Sequence, residues 1–71
     1  MEYLVVHFAR SRRVKVDGEF HGRTEELIEL EAGTHTVTLS PPPNFTPPEQ
    51  TVVLRETSAL SPCEVTFALA E

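Results

Sequence analysis

Asp17-Gly18 lies between Val14-Lys15-Val16 and Glu19-Phe20-His21, and no other feature constrains the fold of this chain as strongly. A two-residue hairpin turn of the primed type needs positive φ, which Gly reaches freely and Asp tolerates better than most residues. Two antiparallel strands joined at that point are therefore predicted. Downstream, Ile28-Glu29-Leu30-Glu31 and Thr34-His35-Thr36-Val37-Thr38-Leu39 keep a period of two on either side of Gly33. The expectation is an all-β chain.

Along residues 2–9, Leu4, Val6 and Phe8 share one face and Tyr3, Val5 and His7 the other, which predicts a central strand covered on both sides. After a turn at 9–12, Val14 and Val16 face the core while Arg13 and Lys15 face water. Thr24 followed by two glutamates resembles a helix start, yet the stretch before Gly33 offers barely two turns and Ile28 and Leu30 alternate cleanly with Glu29 and Glu31. A strand over 24–32 is the expectation. In 34–40, His35, Val37 and Leu39 occupy one face and three threonines the other, where a branched Cβ suits an exposed pleat. The proline-rich run 41–48 cannot donate to a ladder and forms a stiff crossover loop. Alternation resumes at 50–54, pauses in the polar segment 55–61, and ends with Cys63, Val65, Phe67 and Leu69. About six mostly antiparallel strands result, arranged as a small β-sandwich or partly open barrel in a single domain, 1–71.

A chain of 71 residues buries only about 60% of the surface its unfolded form exposes, so the core is thin. Little material is left to hold a rigid catalytic cleft. The lone Cys63 leaves no internal disulfide, and no apolar run is long enough for a membrane span. If Met1 is the native start, the protein is expected to be cytoplasmic. The net charge of −5 disfavours nucleic acid, whose binding depends on clustered cations. Charge is nonetheless uneven, because Arg10, Arg12, Arg13 and Lys15 crowd one stretch and Glu25, Glu26, Glu29 and Glu31 the next. Arg12, Arg13 and Lys15 are the candidate docking patch, set against the plainer reading of solvated, edge-protecting charge.

Other candidates carry less chemistry. His7, His21, His35 and Cys63 lack the close paired spacing of zinc ligands, so no metal and no cofactor are expected. His35 reads as a buried histidine whose ring caps a turn carbonyl, and Cys63 as a small core hydrophobe beginning the last strand. Glu29 and Glu31 share a strand face, but nothing accompanies them to form a hydrolase site. Phe45, held between prolines, either presents an exposed anchor to a partner or folds back to plug one end of the core. The second is the favoured reading.

The string Val-x-Val-Asp-Gly-x-x-x-Gly-x-Thr at 14–24, followed by Gly-x-His-x-Val-x-Leu at 33–39, resembles the PEGA domain family. Phe45 stands where that family tends to place a tyrosine, and Val52 and Leu54 fall in its next strand. The resemblance covers residues 14 to about 54 and implies a sandwich-like all-β module. It also implies an accessory role in binding, without enzymatic activity. The chain departs from the family in having Thr24-Glu25 for the usual Thr-Pro and Glu31-Ala32-Gly33 for Pro-x-Gly. The matching residues are turn glycines and core positions, so they transfer geometry and no ligand. The leading expectation is a non-catalytic interaction module with a protein partner. A self-associating structural or regulatory subunit is the alternative, and a small hydrolase the remote one.

Overall fold

The computed structural model describes residues 1–70. Nine strands are found there: β1 (Glu2–His7), β2 (Arg13–Val16), β3 (Glu19–Arg23), β4 (Ile28–Leu30), β5 (Gly33–Leu39), β6 (Phe45–Thr46), β7 (Gln50–Leu54), β8 (Cys63–Thr66) and β9 (Ala68–Leu69). They form a three-stranded sheet in the order β4-β1-β8, a four-stranded sheet in the order β3-β2-β5-β7, and the small pair β6-β9. All neighbours are antiparallel except β1 and β8, which run parallel. No helix among the described residues is long and apolar enough to cross a membrane.

The alternating positions of both larger sheets meet in one core. Leu4, Val6 and Phe8 of the first strand region, Val14 and Val16, Ile28 and Leu30, Val37 and Leu39, Leu54, Val65 and Phe67 are all buried. Each fully buried Val or Leu contributes roughly 1.5–3 kcal/mol relative to an exposed one, so this face of each strand dictates register. Beside this core the β6-β9 pair brings Phe45 against Phe8 and Phe67. Both ring pairs are edge-to-face, with centroids 6.2 and 5.6 Å apart. Phe45 is there a partly buried ring packed against the core.

The strand count exceeds the six expected because the last stretch divides into β8 and β9 and because the proline run 41–48, expected to stay out of any ladder, contributes β6. Its Phe45 and Thr46 are not prolines and pair with Leu69 and Ala68. The strand expected over 24–32 is interrupted as well. Residues 24–27 are turn and loop, leaving only Ile28–Leu30 as strand. The cause is the buried Thr24, whose amide donates to the Arg12 carbonyl at 2.9 Å while its hydroxyl donates to the Arg10 carbonyl and accepts from the Arg12 amide, both at 3.1 Å. Glu25 follows with φ of 64° and donates its amide to Val6. Proline, whose ring fixes φ near −65°, cannot adopt that turn, so the departure from Thr-Pro is a real change of backbone. At the other interruption the chain leaves β8 at Phe67, whose amide donates to the His7 carbonyl, and then pairs with β6.

The Asp17-Gly18 hairpin forms as its sequence dictates, with φ of 51° and 87° at the two central residues, the signature of the primed turn. A Cβ at Gly18 would meet nothing within 4 Å, so only the backbone penalty remains. Gly18→Ala is expected to destabilise by about 1 kcal/mol. A urea midpoint equal to that of the native chain would contradict this.

Candidate functional site

The outer face of the four-stranded sheet collects the residues that the core rejects. Val14 and Val16 point inward on β2, so Arg13 and Lys15 point outward. Lys15 lies opposite Phe20 on β3 and opposite Thr38 on β5, while Arg13 lies opposite Arg23 across a bulge. Phe20 is consequently a large apolar ring on a wet face, 42% exposed. The Arg13 guanidinium carbon sits 3.7 Å from its centroid and the Lys15 ammonium 5.4 Å away. Cations over a ring at such range are attracted by its quadrupole, by about 0.5–1 kcal/mol at exposed sites. Arg23 adds a third positive charge beside them and donates twice to the Ser11 hydroxyl. Two of the chain's six Lys and Arg residues therefore lie over one exposed aromatic ring, with Arg23 across the strand pair from Arg13.

Arg12 is not part of this face. Its parity is that of Val14, and its half-buried guanidinium turns toward the proline loop, donating to the carbonyls of Ser40 and Pro42 at 3.2 and 2.9 Å and to Asn44 Oδ1 at 2.7 Å. Its guanidinium carbon also lies 5.3 Å from the Phe8 ring centre. The docking patch expected from Arg12, Arg13 and Lys15 thus divides into an internal clamp and two outward cations. A planar fork makes these three bonds in a way that an ammonium cannot. Arg12→Lys is expected to destabilise by about 1–2 kcal/mol, while Arg13→Lys stays within about 0.5 kcal/mol of native. Equal urea midpoints for the two variants would show that the clamp contributes nothing.

Phe20 is the functional candidate that sequence reasoning overlooked. Its signal was available: a two-residue turn at Asp17-Gly18 pairs Val16 with Glu19 and Lys15 with Phe20, and so assigns the ring to the cationic face.

The opposite charge gathers where β3 and β4 approach each other. An open cleft of about 290 Å³ is lined by Asp17, Glu19, Glu29, Glu31, His21 and His35 over a floor that includes Val16 and Leu30. His35 is fixed there, with Nδ1 2.6 Å from Asp17 Oδ2 and Nε2 2.7 Å from the Glu31 carbonyl, and its side chain is 14% exposed. The expected cap on a turn carbonyl is the Glu31 contact. His7 is held in a similar way, with Nδ1 2.9 Å from Glu25 and Nε2 2.9 Å from Glu64. Both nitrogens of each ring face acceptors only, so each ring satisfies its surroundings by donating twice, as imidazolium.

The pKa directions agree with that geometry. The Glu31 carbonyl and then Asp17 raise the pKa of His35 above the ordinary 6.5, and Glu25 and then Glu64 raise that of His7. In return, the Thr36 amide and then His35 lower Asp17 from 3.8, and His7 lowers Glu25 from 4.5. A raised histidine stabilises the fold fully below pH 6.5 and ceases to do so as pH rises through its folded value. A lowered carboxylate stabilises it above its ordinary value and ceases to do so as pH falls through its folded one. Stability from these groups is therefore greatest between pH 4.5 and 6.5. The urea midpoint is expected to fall between about pH 5.5 and about pH 8.5, and to fall less in His7→Gln/His35→Gln. An equal fall in that variant would assign the alkaline limb to other groups.

Cys63 packs against the core opposite Leu4, and no three His, Cys, Asp or Glu side chains among the described residues converge as metal ligands. The motif residues noted in the sequence have structural work in this frame. Gly22 adopts φ of 69°, and a Cβ there would meet Ile28 Cγ1 at 3.1 Å; Thr24 ties down the 10–12 loop; Gly33, at φ of 128°, opens β5; His35 bonds the hairpin aspartate. No curated protein and no solved structure matches the chain. A family model described as the PEGA domain matches residues 10–66, from the loop before β2 through β8. With most of its length matched and the motif residues in these positions, the chain belongs to the PEGA domain family.

Proposed function

We propose that this PEGA domain is a binding module without catalytic chemistry, and that it docks an acidic protein segment on the outer face of its four-stranded sheet. The observation that carries the proposal is Phe20, 42% exposed and flanked by Arg13 and Lys15 in a chain of net charge −5. Against that background a local concentration of cations orients and accelerates the approach of an acidic segment. The ring then supplies apolar area where aromatic anchors concentrate binding energy. Support for the reading without catalysis comes from the lone thiol of the chain, since Cys63 packs on the core and its neighbour Glu64 is engaged with His7.

A peptide of alternating Glu and Tyr, titrated into the protein by calorimetry, tests this. Binding is expected to weaken about tenfold or more in Phe20→Ala and in Arg13→Ser/Lys15→Ser, and to weaken as salt shortens the Debye length from about 30 Å at 0.01 M to about 8 Å at 0.15 M. Arg55→Ser, on the far edge of the sheet, is expected to bind as the native chain does. No heat above dilution at millimolar peptide, or equal affinity for all variants, would overturn the proposal.

A further inference from the structure

Sheet edges expose unpaired backbone donors and acceptors, and a fold usually blunts them by shortness, bulges, proline or charge. Three edges here are managed in that way. β4 has three residues, β3 carries the bulge against β2, and β8 gives way to β9, which pairs with β6. The free edge of β7 is different. Its residues Gln50-Thr51-Val52-Val53-Leu54 contain no proline and no charge, and its register against β5 runs uninterrupted through five pairs. Val53 projects from it to the outer face, 58% exposed.

The charges at the two ends of this edge indicate what covers it. Glu49 precedes the strand and Arg55 follows it, each three residues from Val52. Both have the parity of Thr51 and Val53, and among the described residues neither takes part in a hydrogen bond or ion pair. Antiparallel pairing of β7 with an identical strand about Val52 sets Glu49 opposite Arg55, Thr51 opposite Val53, and Val52 opposite itself. The Glu49–Arg55 pair occurs twice by symmetry, once at each end of the strand pair. Sliding the copy toward the carboxyl end sets Thr51 opposite Arg55, and sliding it the other way sets Glu49 opposite Val53. A parallel pairing sets Glu49 opposite Glu49. Opposite charges directly across strands are favourable and like charges unfavourable, so one register and one orientation are selected.

We propose that the protein forms a two-fold dimer through antiparallel β7–β7 pairing centred on Val52. The two four-stranded sheets then become one of eight strands. Because the axis is perpendicular to the sheet, the Phe20 clusters of both copies lie on the same face. The pairing itself is independent of what that face binds.

Complementation in solution tests the register. By sedimentation equilibrium the native chain is expected to dimerise as concentration rises, and Glu49→Arg and Arg55→Glu are each expected to raise the dimer dissociation constant about tenfold or more. Mixing these two variants restores opposite charges at both ends, and the mixture is expected to dimerise about as tightly as the native chain. Glu49→Arg/Arg55→Glu, with both ends exchanged, is expected to self-associate again. Retained amide dispersion in nuclear magnetic resonance spectra confirms that each variant is folded. A native chain that stays monomeric at millimolar concentration, single variants that dimerise as the native chain does, or a mixture that fails to recover would each overturn the proposal.

Discussion

Phe67→Ala is expected to cost about 3–5 kcal/mol, enough to unfold much of a domain this small at room temperature. Phe67 is 2% exposed, stacks edge-to-face on Phe45 and follows the strand that pairs with β1. Truncation therefore leaves a cavity where two sheets and the proline loop meet. Phe45→Ala is expected to cost less, because Phe45 is only partly buried and packs on the periphery of the same cluster. Chemical denaturation of both variants checks the order. If Phe45→Ala proves the more damaging, the aromatic cluster is organised from the loop and not from the core.

Thr24→Val is expected to cost about 2 kcal/mol, although it keeps the shape and adds apolar surface. The side chain is 4% exposed, and its hydroxyl donates to the Arg10 carbonyl and accepts from the Arg12 amide in the loop between β1 and β2. Valine leaves both backbone groups without that partner. Thr24→Ser keeps the hydroxyl and is expected to retain most of the stability. Loss of stability in Thr24→Ser as large as in Thr24→Val would place the contribution in the methyl group.

Much of this fold is legible because strands have a period of two and their turns need particular residues. Leu4, Val6, Val14, Val16, Val37, Leu39 and Val65 announce themselves by alternation, and Asp17-Gly18 by the φ values it permits. What escaped depends on contacts distant in sequence. The parallel pairing of β1 with β8 joins residues almost sixty positions apart, and no local pattern encodes it. The turn at Thr24-Glu25 is set by bonds to Arg10, Arg12 and Val6, which override the apparent strand over 24–32. Arg12 reads as one more surface cation until the Pro42 and Asn44 acceptors are brought to it by the crossover. Phe20 lies between these cases. The hairpin register alone assigns it to the face of Lys15, but the stacking of Arg13 on its ring needs the bulge between β2 and β3.

Mapping amide shifts while the Glu-Tyr peptide is titrated into isotope-labelled protein tests the proposed binding face most directly. Changes are expected to be confined to β2, β3 and the adjoining part of β5, centred on Arg13, Lys15, Phe20 and Thr38. Changes centred on the cleft around Glu29, Glu31 and His35, with β2 and β3 unmoved, would contradict it.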